Sequence, residues 1–188
     1  LVTDGDEALE AYYSFQIDLS TSFTGEDSLD ISLDAGNSGG AATEFDLNST
    51  TNEALSVDGV SYTFPVGDKI TAFVGDNTDG SALYSTACVY GGPGNTLDDC
   101  GAATAPLGSG SGTAAGASFD IGNGFTAAVG YTGAGSSSSG LLTKEGDDAY
   151  GAQLSYAADS YGASVTYANT ESSGADTTYW ALNGYYSF

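Results

Sequence analysis

A chain of 188 residues is long enough for one domain with its own core. Asp and Glu total 25 against two lysines, with no Arg or His, and the formal charge of -23 makes nucleic acid and anionic membrane surfaces poor partners and cations natural ones. Without His the usual general base and commonest metal ligand are missing, so neither an enzymatic activity nor a cofactor is expected.

Gly 28 and Tyr 13 with Pro only 3 suit strands joined by glycine-rich turns and are poor for helices. No run of about 18 apolar residues occurs, so no membrane-spanning helix is expected, a statement that leaves strand-built membrane proteins open. Met is absent and Leu1 does not open a basic leader, so the chain is expected to be processed or part of a longer polypeptide.

After a polar lead-in at Leu1–Leu9, the residues Tyr13, Phe15, Ile17 and Leu19 alternate with Ser14, Gln16, Asp18 and Ser20. Beyond Gly25-Glu26-Asp27, the residues Leu29, Ile31 and Leu33 alternate with Asp30, Ser32 and Asp34. A period of two gives each strand one apolar and one wet face, so this stretch predicts an amphipathic hairpin. Asn37 to Glu53 is a long polar connection. Leu55 to Phe64 predicts a third strand with a bulge at Asp58-Gly59, Pro65 to Asp68 a tight turn, and Lys69 to Gly75 the return strand. Asp76 to Thr113 has no sustained periodicity and is the longest loop. Ala115 to Ile121 and Phe125 to Tyr131 form a hairpin across Gly122-Asn123-Gly124. Thr132 to Asp148 is again long and polar. Tyr150–Tyr156 and Tyr161–Tyr167 pair across Ala158-Asp159-Ser160, and Asn169–Asp176 leads to a last strand from Thr177 to Phe188.

About nine strands result, and the connections alternate short and long throughout. A sandwich has no reason to keep every second loop short, whereas an outer-membrane barrel has tight turns on one rim and long loops on the other. The expected fold is therefore all-β, an antiparallel transmembrane barrel. Aromatics that end the apolar faces, such as Tyr62, Phe125, Tyr131, Tyr156 and Trp180, fit interfacial girdles, although ordinary strand preference accounts for the same residues. The lipid-facing set is Tyr13, Phe15, Ile17, Leu19, Leu29, Ile31 and Leu33. The lumen-facing set is Asp18, Asp30, Asp34, Lys69 and Asp120. An odd count puts the first strand's start on the long-loop side, so at least one strand is expected before Leu1.

The stretch Leu19–Asn37, LSTSFTGEDSLDISLDAGN, the turn Tyr62–Asp68, YTFPVGD, and the hairpin Leu141–Tyr167 with its EGDDAYG motif resemble the barrel domain of cyanobacterial iron-uptake porins, relatives of carbohydrate-selective porins. The closing Tyr186-Ser187-Phe188 resembles the terminal aromatic signature of barrel proteins. The resemblance implies an outer-membrane location, a larger barrel of the 16-strand class, a homotrimer, and an N-terminal region outside this chain that grips the cell wall. It also implies passive diffusion of small solutes and inorganic ions, iron among them, and a long loop able to fold into the pore. A 16-strand barrel needs well over 300 residues at roughly 20 per strand and connection, so the chain is read as part of such a barrel. The absence of Arg departs from the arginine ladder of general porins.

Cys88 and Cys100 in the longest loop are expected to form a disulfide worth on the order of 3 kcal/mol in an oxidising compartment, and lack the further ligands of a metal site. Asp76-Asn77-Thr78-Asp79-Gly80 misses calcium-loop spacing, and no metal site is expected. Glu145-Gly146-Asp147-Asp148 and Asp4-Gly5-Asp6-Glu7 read as solvated loop ends. No activated nucleophile or isolated carboxylate pair stands out. The expected function is a cation-preferring outer-membrane porin in contact with lipid. The alternative is an acidic secreted β-sandwich with a structural or adhesive role at the cell surface.

Overall fold

The computed structural model describes residues 12–37, 53–85, 107, 112–133, 141–142, 147–171 and 176–188. Nine strands fall where side chains alternate between apolar and polar: β1 (Ser14–Thr21), β2 (Ser28–Gly36), β3 (Ser56–Val66), β4 (Ile70–Asp76), β5 (Thr113–Gly122), β6 (Phe125–Gly133), β7 (Asp148–Ala157), β8 (Tyr161–Thr170) and β9 (Thr177–Tyr186). All nine belong to one sheet in sequence order, every neighbouring pair antiparallel. No helix occurs among the described residues. In such a meander the four tight turns share one rim and the longer connections the other, as the loop lengths predict. β1 and β9 are the open edges, and an odd strand count makes them run in the same direction.

Local chemistry fixes the register. Ser32 faces Gly59 while the next residue, Leu33, faces Val57, so Asp58 is the extra residue of the predicted bulge. The β5–β6 turn uses positive φ at Gly122, Asn123 and Gly124, and the two residues between the strands, Asn123 and Gly124, match the backbone twist of a tight hairpin.

The β1–β2 turn is organised by Asp27, whose side chain is buried. Its Oδ1 accepts hydrogen bonds from the Ser22 hydroxyl (2.6 Å), Phe23 N–H (3.0 Å), Thr24 N–H (2.8 Å) and the Thr24 hydroxyl (2.7 Å). Its Oδ2 accepts from the Tyr62 hydroxyl at 2.6 Å, which ties the turn to β3. Tyr62 in turn packs edge-on to Phe23 and stacks on Phe64. These bonds, led by Ser22 and Tyr62 and then Thr24, hold the Asp27 carboxyl far below the usual carboxylate range against the opposing effect of burial. A depressed folded value stabilises the fold at any pH above the unfolded carboxylate pKa of about 3.9, and that contribution is lost as pH falls toward the folded value. Asp27→Ala is therefore expected to lower the urea midpoint of the folded protein fully at pH 7 and by less with each step of acidification below pH of about 4. An unchanged gap between wild type and variant down to pH of about 2 would show that the carboxylate charge is not what these donors hold.

Candidate functional site: the polar face of the sheet

Register sorts the side chains onto two faces. On β1 and β2, Gln16 faces Asp34, Asp18 faces Ser32 and Ser20 faces Asp30, so the three aspartates share one face. Phe15, Ile17 and Leu19 share the opposite face with Leu33, Ile31 and Leu29. Tyr13 lies just before β1 and continues that pairing through its N–H, which donates to the Asn37 side chain at 2.9 Å. The apolar face runs on through Tyr62, Val74, Ala115 and Tyr131, and through Val66, Ile70, Phe119, Ala127, Leu154, Val165 and Leu182.

Burial is inverted relative to a water-soluble sheet. On β7 and β8 the apolar Leu154 and Val165 are 45% and 40% exposed, whereas the polar Ser164 and Thr166 are 2% and 1% exposed. Most buried residues of the described sheet, Phe73, Ala114, Ala128, Ala149 and Ala168 with Gln153, Ser155 and Thr132, stand on the polar face, whereas Ala35, Asp148 and Asn169, buried at the long-loop end, stand on the other. No second sheet covers the apolar face among the described residues.

Aromatic rings on the apolar face form two belts. Phe125 and Tyr131, Tyr150 and Tyr156, Tyr161 and Tyr167, and Trp180 and Tyr186 each stand six residues apart on one strand, about 20 Å along it. Toward the tight turns Phe125 packs on Tyr156 with centroids 4.7 Å apart and Tyr156 on Tyr161 at 5.7 Å, while Tyr161 pairs with Tyr186. Toward the long loops Tyr131 pairs with Tyr150, and Tyr167 packs on Trp180 at 5.0 Å. Between the belts lie Ala127, Val129, Ala152, Leu154, Ala163, Val165, Leu182 and Gly184, with no charge.

The polar face differs from end to end. At β1–β2 it carries carboxylates: Asp18 accepts from Ser32 (2.6 Å) and Gln16 (3.1 Å), and Asp30 accepts from Ser28 (2.7 Å). At β5–β8, apart from exposed Asp120 at the tight-turn end of β5, it is neutral and covered by the chain itself. The start of the longest loop leaves β4 at the long-loop rim and folds back over this face, where Tyr84, Leu107, Ala128 and Ala149 make a small apolar cluster. Asp79 shapes the turn by accepting from Ser81 N–H and its hydroxyl, both at 2.7 Å. Ser85 N–H donates to Gln153 Oε1 at 2.7 Å, and Gln153 Nε2 donates to Thr166 at 3.0 Å. The Leu107 carbonyl accepts from the Thr132 hydroxyl (3.0 Å) and from Gly80 N–H (3.2 Å). Burial pushes the Tyr84 phenol well above the usual tyrosine range, so it stays neutral.

Of the predicted site residues, the structure brings Asp18, Asp30 and Asp34 together on one face. Asp120 lies at the tight-turn end of β5, its carboxylate accepting from Gly122 N–H at 2.8 Å. Lys69, predicted to start the strand, is instead the last residue of the turn before β4, and its carbonyl accepts from Asp120 N–H. The reason is the length of the turn, which runs through Gly67 with positive φ to Lys69. Cys88, Cys100, Lys144 and the acidic residues 4–7, 44, 46, 98, 99 and 145 lie outside the described residues. Among the described residues no three His, Cys, Asp or Glu side chains converge as metal ligands. The packing of Tyr84 and Leu107 on the sheet has a sequence signal, glycines at matching register on successive strands, that emerges only once the hairpins are aligned. No protein-family model, curated protein or solved structure matches the chain.

Gln153 joins loop to wall through two bonds with no solvent to replace it. Gln153→Leu is expected to cost about 1–3 kcal/mol in urea unfolding, since Ser85 N–H and the Thr166 hydroxyl both lose their partner. A cost near zero would mean that the loop does not rest on β7.

Proposed function

We propose that the chain forms wall of an outer-membrane β-barrel that passes small hydrophilic solutes and inorganic cations by passive diffusion, in the manner of the cyanobacterial iron-uptake porins its sequence resembles. The observation that carries this reading is the inverted burial on β6 to β8, aliphatic side chains outside and Ser, Thr and Gln on the sheltered face. Water would penalise that arrangement by about 25 cal/mol for each Å² of apolar surface left exposed, and lipid does not. Strands of ten residues, such as β5, β7, β8 and β9, suit the same reading. Each would be about 33 Å long and would rise roughly 25 Å when tilted, the height of the apolar band of such barrels. The aromatic belts then lie at the two interfaces.

Within a bilayer every backbone N–H and C=O needs a partner, so the free edges of β1 and β9 require closure. Because those edges run in the same direction, an all-antiparallel closure takes an odd number of additional strands. On the inside, Asp18, Asp30 and Asp34 give the wall a negative field, with Lys69 at the rim the only described basic side chain. Carboxylates acting together in a low-dielectric channel concentrate cations and repel anions.

Reversal potential across a planar bilayer under a potassium chloride gradient tests the reading. Cation selectivity is expected, diminished when Asp18, Asp30 and Asp34 are all changed to Asn. An anion-selective value, or one indifferent to those changes, would overturn the assignment of the aspartates to the lumen. The outer face has its own test: Ile17→Arg is expected to cost about 2–4 kcal/mol in refolding into lipid vesicles if the site lies near the midplane. Near-neutral behaviour there, together with solubility without detergent, would favour a secreted protein.

A further inference from the structure

Gly116, Gly130 and Gly151 stand directly opposite one another on β5, β6 and β7, a row of three strands without a side chain on the polar face. The row is flanked by Phe73 on β4 and Ala168 on β8. Glycine inside a strand packs nothing and costs backbone entropy, so three in one row call for a reason, and close approach of another group is the usual one. Here each glycine is covered. The Phe73 ring lies over Gly116 and the Gly80 carbonyl over Gly130. Leu107 and the Tyr84 hydroxyl lie 2.9 and 3.0 Å from where a Cβ on Gly151 would be. On one side of the row Gln153 accepts from Ser85 N–H, and on the other Thr132 donates to the Leu107 carbonyl, which also accepts from Gly80 N–H, so both ends of the segment are held.

We propose that this glycine row is a seat that sets how deep the segment Asn77–Ser85 lies against the wall, and that it thereby sets the size limit of the pore; the proposal rests on the diffusion-pore reading. A Cβ at Gly130 would overlap the Gly80 carbonyl, a backbone group with no rotamer to escape into. The segment then has to lift off the wall. Phe73 and the Gln153–Thr166 pair stay within the strands, so the wall itself keeps its pairing.

The test is single-channel conductance of the full native polypeptide in planar bilayers, with poly(ethylene glycol) exclusion as the measure of size. Gly130→Val is expected to change the conductance step and the largest polymer that permeates. Gly184→Ala, a strand glycine on β9 away from the seat, is expected to leave both as in wild type. Should Gly130→Val lose the heat-modifiable folded band on a gel, the double variant Thr132→Val with Gln153→Ala removes the clamp without steric clash, and is expected to make the open level fluctuate. Wild-type channels whose conductance and cutoff survive both changes would overturn the seat and leave the pore reading standing. A wild-type protein that forms no channel would overturn both.

Discussion

The structure depends on the match between a two-residue side-chain period and a single sheet whose apolar face no other described residue covers. Nine amphipathic strands in one layer satisfy their backbone groups through the ladder everywhere but at the two outer edges. They cannot hide both sets of side chains, and this chain shelters the small polar ones. Ser155, Ser164 and Thr166 are buried on the face where Leu154 and Val165 have no neighbours to point toward. A second layer, protein or lipid, has to meet the apolar side, and the uncharged band between the aromatic belts fits the uniform, featureless contact of hydrocarbon better than the pocketed surface of a protein core.

The belts add a geometrical constraint. On the tight-turn side the contacts go from Phe125 to its register partner Tyr156, then to Tyr161, which is two residues short of that ring's partner Ala163, and on to Tyr186. On the long-loop side they go from Tyr131 to Tyr150, then to Tyr167, two residues short of Asn169, and on to Trp180. Both rows step by the same amount, in the same direction, at the same strand pair. Strands tilted to a barrel axis need such a step for rings to stay at one height, because the hydrogen-bonding direction climbs relative to the membrane plane. Ordinary aromatic preference in strands supplies no cause for two rows to step together.

Most of the sheet was legible in the sequence because its determinants are local. Alternation located every strand, Asp58-Gly59 marked the bulge, and Gly122-Asn123-Gly124 marked the tightest turn. Lys69 was misplaced because alternation does not mark where a three-residue turn ends. Asp27 was visible as a turn residue, yet its bond to Tyr62 spans 35 positions and rests on sheet order that no local pattern encodes. The fold of Asn77–Ser85 was illegible for the same reason. Its polar, aperiodic sequence is compatible with any direction, and the information that directs it lies in the glycines of three strands further along the chain.

That distant information also divides the polar face into two unlike regions. The carboxylates stand on β1 and β2 and, with Asp120, at the tight-turn end of β5, whereas the loop rests on the rest of β5 to β8, where the wall offers glycine, alanine and neutral hydroxyls. An acidic seat would have set the Asp79 carboxylate beside buried like charge, at a cost that neutral Gln153 and Thr132 avoid while still supplying an acceptor and a donor. Clear of the loop, Asp18 and Asp30 keep hydroxyl and amide donors on their oxygens, which on the proposed reading a cation can partly replace. The sheet thus separates the part of its polar face that holds the loop from the part that carries the carboxylates of β1 and β2, and each can vary in sequence without disturbing the other.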